Sequence, residues 1–289
     1  MSIIDETLEA EFALRRRHPE REEIYDSHIR RSAALRARGA CRLDLRYGNA
    51  PRCLLDIFPA GAGAPILFFI HGGYWRALDK SYVSFIAESY QRSGITVVMP
   101  SYGLAPGVRI GEIVGQIRAA FCWTVDELKP SRVVVAGHSA GGQLAAMLAL
   151  DQAEKGAGPI VALAGISGVF DLRPLLRTSI NNDLRMSAKE AELASPHLRL
   201  LSLPAGAPLV PFIGVVGGDE TQGFKRWTRD FVALWQSRGA TASFFEIARR
   251  NHFNILDFLV DQDKEFFLSI CQFAKGQPKA EATGLGIVC

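Results

Sequence analysis

From residue 65 onward the chain carries short, unbroken apolar runs, at 65–70, 96–99, 133–136, 160–164, 211–216 and 242–247. Runs of this length without a polar alternation read as parallel strands whose two faces are both covered. Between them, apolar residues recur at helical spacing around 79–93, 110–128, 141–154, 223–238 and 254–273. Strand–helix alternation predicts a doubly wound, mostly parallel α/β sheet. Ahead of it, Arg42–Tyr47 and Leu54–Phe58 alternate around a Gly48-Asn49 turn. That pattern predicts an antiparallel hairpin at the N-terminal edge of the sheet.

Three segments stand outside the alternation. Residues 1–40 are charged and predict an N-terminal helical extension in two pieces, broken near His18-Pro19 and lying across the body. Residues 170–207, with Pro174, Pro196 and Pro204, predict a small cap insertion over the strand ends. Residues 276–289 are small, polar and glycine-containing, and predict a flexible tail behind one α/β domain spanning 41–275.

The chemistry is concentrated at the strand ends. Gly137-His138-Ser139-Ala140-Gly141 follows the apolar run at 133–136 and opens the helix at 141–154. A serine at the apex of a strand-to-helix turn, flanked by glycines, is exposed above the sheet beside a helix N-terminus, where developing negative charge is favoured. Ser139 is therefore the expected nucleophile. Its base and the base's carboxylate partner should follow in the order acid, then histidine, each after a later strand. His252 follows the strand at 242–247. Asp219 and Glu220 follow the strand at 211–216; Asp219 is the expected acid because it comes first after Gly217-Gly218, with Glu220 turned to solvent, and the swapped assignment is the alternative. Asp261 and Asp263 come after the histidine and are out of order.

The strand at 65–70 runs into His71-Gly72-Gly73-Tyr74-Trp75. Glycines here let backbone N–H groups face a substrate oxygen, so Gly72, Gly73 and Tyr74, with the N–H of Ala140, form the expected oxyanion hole. His71 is expected to lock this loop by hydrogen bonding. Trp75, Tyr102 and Phe170 are the aromatic candidates for a substrate pocket.

Composition narrows the partners. A net charge of +3 over 289 residues, with basic residues scattered apart from Arg15-Arg16-Arg17, argues against a nucleic-acid groove or a polybasic membrane patch. That arginine run reads as a solvated helix face, and Arg173, Arg177 and Arg185 in the cap read likewise as solvated side chains before they read as carboxylate ligands. The five cysteines are odd in number and widely spaced, without a C-x-x-C pair, as in a reducing compartment. The first residues lack a basic and an apolar signal region, and no apolar run reaches the roughly 18 residues of a membrane span. The expected setting is cytoplasmic and the expected partner a small-molecule substrate. A homodimer is compatible with the sequence, and the chemistry calls for no metal and no organic cofactor.

His71-Gly72-Gly73-Tyr74-Trp75 together with Gly137-His138-Ser139-Ala140-Gly141 resembles the kynurenine formamidase (arylformamidase) branch of the α/β-hydrolases, which is related to the hormone-sensitive-lipase-like carboxylesterases. The resemblance runs from about Leu43 to Phe273 and includes Leu54–Pro59 and His252–Leu256. Lipase-like members carry a third glycine where this chain has Tyr74, which favours the formamidase side. Ile24–Ile29 departs from the Asn-rich stretch of formamidases. The resemblance implies an α/β-hydrolase fold and a Ser139, Asp219, His252 triad. It also implies hydrolysis of an N-formyl aryl amide through an acyl-enzyme, with short-chain esters as the alternative substrates.

Overall fold

The computed structural model describes residues 4–276, so the expected tail lies outside the described residues except for Gly276. Eight strands form one sheet in the order β1-β2-β4-β3-β5-β6-β7-β8. They are β1 (Arg42–Arg46), β2 (Leu54–Phe58), β3 (Ile66–Ile70), β4 (Thr96–Pro100), β5 (Val133–His138), β6 (Ile160–Ile166), β7 (Phe212–Gly217) and β8 (Ala242–Ile247). β1 pairs antiparallel with β2 and β2 antiparallel with β4, and every later pairing is parallel. The expected mostly parallel sheet with an antiparallel N-terminal edge is borne out.

Every residue of β3, β4 and β5 is buried, which is why these strands lack alternation, whereas edge strand β1 alternates between exposed and half-buried positions. Successive side chains of β3 feed two different cores. Ile66, Phe68 and Ile70 pack on the face covered by α5 (Ile110–Leu128), α6 (Ala140–Lys155) and α10 (Gln222–Ser237). Leu67 and Phe69 pack on the face covered by α4 (Ala87–Arg92), α11 (Ile255–Phe258) and α12 (Glu265–Lys275).

Two predicted helices are shorter than their apolar spacing implied. The stretch 79–93 holds two 3-10 turns, Lys80–Tyr82 and Ser84–Ile86, before α4 begins. Asp79 accepts the Ser81 N–H and the Ser84 hydroxyl donates to the Lys80 carbonyl, local bonds that compete with a regular helix. The stretch 254–273 divides into α11 and α12 around Asp261-Gln262-Asp263, where the Asp261 carboxylate accepts the Asp263 N–H.

The N-terminal extension forms three helices instead of two: α1 (Glu6–Phe12), α2 (Leu14–Arg17) and α3 (Arg21–Ala37). The break between α2 and α3 falls at His18-Pro19, and a further break falls at Ala13. Asp5 caps α1 by accepting the N–H groups of Thr7 and Leu8. α1 lays Phe12 flat on Trp227 of α10, ring centroids 4.7 Å apart, while Glu11 accepts the Gly223 N–H and Glu9 accepts from Ser179. α3 is held by charge. Arg36 bonds the fully buried Asp56 of β2, which also faces the Lys80 ammonium at 3.3 Å and accepts the Asp44 N–H.

Between β6 and β7 lie a 3-10 turn at Arg173–Arg177 and three short helices, α7 (Asn181–Leu184), α8 (Ala188–Leu193) and α9 (Pro196–Ser202). α8 begins with a reciprocal cap between Ser187 and Glu190 and packs on α5, while α9 packs on α6 and α10. Among the described residues no helix is long and apolar enough to cross a membrane.

Candidate active site

β5 ends at His138, and Ser139 follows with φ 55° and ψ −119° before α6 begins at Ala140. A residue with a side chain is strained in this region of backbone space, and the strain is what lifts the hydroxyl off the sheet. The turn closes only because residue 141 is glycine: a Cβ there would sit 2.0 Å from the Ile70 carbonyl oxygen. The Ser139 N–H is tied to the Ile166 carbonyl, which fixes the apex. Ala140, as the first residue of α6, has an N–H with no intrahelical partner.

The loop after β3 approaches from the other side. Gly73 takes φ 113°, and a Cβ on it would fall 2.1 Å from the Ala77 carbonyl oxygen. Tyr74 follows at φ 49°. Among the described residues no hydrogen bond occupies the N–H of Gly72, Gly73, Tyr74 or Ala140. Free donors therefore stand near the elbow, as holding an oxyanion would require. His71 braces the loop through Nδ1 to the Gly72 carbonyl at 2.7 Å, and its ring stacks on Tyr102 at 4.3 Å. Burial pulls the His71 pKa down to about 4, so the imidazole is neutral at pH 7.

His252 stands on the loop after β8, and its Nδ1 lies 2.6 Å from Oε2 of Glu220. This carboxylate is buried and held twice more: Oε1 accepts the Ser167 hydroxyl and the Gly217 N–H. Asp219, the expected acid, is exposed at the turn apex, its N–H given to the Arg250 carbonyl, and its carboxylate meets no donor among the described residues. The acid beside His252 is therefore Glu220, a correction with a simple cause. The β7–α10 turn points residue 219 outward, and Thr221, by capping α10, turns residue 220 back under the histidine loop. That loop is braced by Asn251, whose Oδ1 accepts the N–H groups of Phe253 and Asn254. The backbone carbonyl of His252 accepts from His138 Nε2 at 2.9 Å. Burial, and then the neighbouring His252, push the His138 pKa well below its ordinary value, so this second imidazole adds no charge beside the first.

Ser139, His252, His138, Gly72, Gly73 and Tyr74 line one cavity of about 40 Å³. The rest of its wall was missed from the sequence: Leu14 and Arg15 of α2, Tyr25 and His28 of α3, then Leu78, Tyr82, Val83, Phe253 and Leu256. The N-terminal helices, not the 170–207 insertion, cover Ser139. The three aromatic pocket candidates are likewise corrected. Trp75 is fully buried with its indole N–H on Gln143. Tyr102 is fully buried and donates to the His71 carbonyl, supporting the glycine loop from behind. Phe170 is stacked on Phe231 at 4.1 Å inside the core. Two cap arginines are engaged, Arg173 with Asp171 and Arg177 with Asp5, and no cap arginine lines the cavity. A larger surface hollow of about 620 Å³ between α5, α6, α8 and α9 contains none of these groups. No group of three or more His, Cys, Asp or Glu among the described residues is arranged to hold a metal ion.

Comparison with known proteins agrees with this fold. A model of the alpha/beta hydrolase fold matches residues 67–205. A solved "putative thioesterase" from Silicibacter sp. superposes with a TM-score of 0.80 at 31% identity, covering 91% of this chain and 98% of that one. The chain belongs to the α/β-hydrolase family. Kynurenine formamidase of Danio rerio is 28% identical over 84% of this chain and 86% of its own length. That of Drosophila melanogaster is 28% identical over 76% of this chain and 77% of its own. With these relatives the hydrolase stands in the formamidase-like and lipase-like esterase branch of the family, and it is an enzyme.

Proposed function

We propose that this hydrolase removes a formyl group from a small aryl amide, using Ser139 as nucleophile, His252 as base and Glu220 as the carboxylate that orients it. With Nδ1–H given to Glu220, Nε2 is the nitrogen available to the serine. The Ser139 oxygen attacks the carbonyl carbon as its proton passes to Nε2. The oxyanion is held by the N–H groups of Gly73, Tyr74 and Ala140, each worth roughly 2.7–4 kcal/mol at such sites. The C–N bond then breaks as His252 returns the proton to the leaving amine. Water, deprotonated by the same imidazole, releases formate and free serine.

The formamide reading is carried by the match to relatives named kynurenine formamidase, and the cavity limits the size of the acyl group. At about 40 Å³ it holds on the order of three water-sized probes at ~10–15 Å³ each. That space takes a formyl or acetyl group beside Ser139, and an aryl leaving group would have to lie toward its mouth. Tyr25, Tyr82 and Phe253 supply aromatic surface for an aryl leaving group. Relatives named kynurenine formamidase, matched over most of their length, support the same choice. A second reading, a short-chain ester or thioester substrate, is favoured by the same small cavity and by the neighbour described as a "putative thioesterase".

Steady-state hydrolysis of N-formylkynurenine, p-nitrophenyl acetate and acetyl-CoA, with Ser139→Ala as control, tests the proposal. The expected result is serine-dependent turnover with kcat/KM highest on the formamide. Turnover confined to the ester or thioester overturns the substrate reading, and full activity in Ser139→Ala overturns the mechanism.

A further inference from the structure

The run Arg15-Arg16-Arg17, unremarkable in the sequence, forms the last turn of α2 at the edge of the active-site cavity. Arg15 lines that cavity while remaining exposed, so its side chain stands at the mouth. Its backbone is pinned: the Arg21 guanidinium donates to the Arg15 carbonyl at 2.6 Å and to that of His18. Its own guanidinium has no carboxylate within ion-pair distance among the described residues. The acids nearest in sequence are engaged elsewhere, Glu11 with Gly223, Glu20 with His18 and Asn251, and Glu22 with Arg21.

Several other arginines near the site are paired: Arg31 with Asp257, Arg52 with Asp79 and two backbone carbonyls, and Arg76 with Asp183, and none of these lines the cavity. No carboxylate lines the cavity, and apart from Arg15 and Ser139 its wall is apolar, phenolic, imidazole or glycine. On the same wall, burial raises the Tyr25 pKa, and the charges of Arg15 and Arg21 oppose that rise.

From this juxtaposition we infer that Arg15 is a specificity residue that receives a carboxylate carried on the leaving-group half of the substrate. The inference rests on the proposed serine hydrolysis and deepens it by naming the charge of the substrate. The acyl group occupies the small space beside Ser139, so the leaving group must project toward the mouth, where Arg15 stands. A guanidinium there offers a planar fork of donors matched to a carboxylate. A cationic leaving group would meet repulsion at the same place, and a neutral one would gain nothing.

The test compares 3-formamidobenzoate with its uncharged analogue 3-formamidobenzamide in the wild type, Arg15→Gln, Arg15→Lys and Arg15→Glu. The wild type is expected to favour the benzoate, chiefly through KM, and the preference should shrink with added salt. In Arg15→Gln the ratio of kcat/KM values should fall about tenfold or more. Arg15→Lys should recover part of it and Arg15→Glu should reverse it. A ratio unchanged in Arg15→Gln overturns the inference. If formamides are not cleaved, the substrate reading has failed but this one has not, and 3-acetoxybenzoate against 3-acetoxybenzamide gives the same ratio. Calorimetric binding of the benzoate and benzamide to Ser139→Ala, with and without Arg15→Gln, reads it without turnover; equal affinities for the two ligands overturn it.

Discussion

Glu220 and His252 meet through Oε2 and Nδ1 at 2.6 Å, while the adjacent Asp219 faces solvent. The glutamate has no freedom to be replaced by its neighbour, because its second oxygen is spent on Ser167 and the Gly217 N–H. Glu220→Gln keeps the shape but loses the charge that stabilises the imidazolium and the acceptor that selects its tautomer. Its kcat is expected to fall by about 10³–10⁴. Asp219→Asn should leave kcat close to wild type and change stability by less than about 0.5 kcal/mol. Stopped-assay kcat values for the two variants on one substrate decide between them, and a reversed outcome returns the acid role to Asp219.

Leu14, which is 2% exposed, lines the cavity beside Ser139. Leu14→Ala removes three carbons from that wall and should admit longer acyl groups. The kcat/KM ratio of p-nitrophenyl butyrate to acetate is expected to rise about tenfold, in keeping with ~1–3 kcal/mol per methylene accommodated. The same substitution should cost about 2–5 kcal/mol of stability, read from urea unfolding. An unchanged chain-length profile in a folded variant would show that α2 does not limit the acyl pocket.

The N-terminal helices reach the site because α3 is fastened to the sheet by charge. Asp56 is fully buried and serves Arg36, Lys80 and the Asp44 N–H together. Asp56→Ala leaves the Lys80 ammonium buried with a weakened set of partners, which is expected to cost about 3–5 kcal/mol. Asp44 also pairs with Lys80, at 2.6 Å, but its side chain is 57% exposed. Asp44→Ala should therefore cost about 1 kcal/mol or less. Chemical denaturation of both variants measures the difference, and equal effects would place the anchor elsewhere.

The sheet was legible because its central strands are buried on both faces, so their apolar runs carry no competing signal. The serine elbow was legible because steric closeness at Gly141 leaves a mark in residue choice. The choice between Asp219 and Glu220 was not, since it depends on which way one turn points. Nothing in adjacent carboxylates reports that direction, although the capping threonine at 221 hints at it. The contribution of α2 and α3 was hidden for a different reason. α3 docks by polar contacts, His28 and Arg31 on Asp257 and Ser32 on the Phe85 N–H, and such residues read as a solvated helix until their distant partners are known. Trp75, Tyr102 and Phe170 misled in the opposite sense, because large aromatics just past strand ends serve here as core packing.

His71 makes the glycine loop after β3 sensitive to acid. Its folded pKa is about 4, lowered by burial, against an ordinary value near 6.5. Between those values the unfolded chain binds a proton that the folded protein refuses, so folding stability rises with pH across this window. The contribution is fully present above about pH 6.5 and is lost as pH falls toward 4, amounting to a few kcal/mol at most. His138, lowered in the same direction by burial and by His252, adds to the slope. His71→Gln removes the titrating ring. Urea unfolding at pH 7.5 and pH 5 should therefore show a smaller loss of stability on acidification in the variant than in the wild type. Its stability at pH 7.5 should itself be lower, because the stack on Tyr102 and the bond to the Gly72 carbonyl are disturbed. Parallel acid sensitivity in the two proteins would mean that the buried ring is not the group being charged.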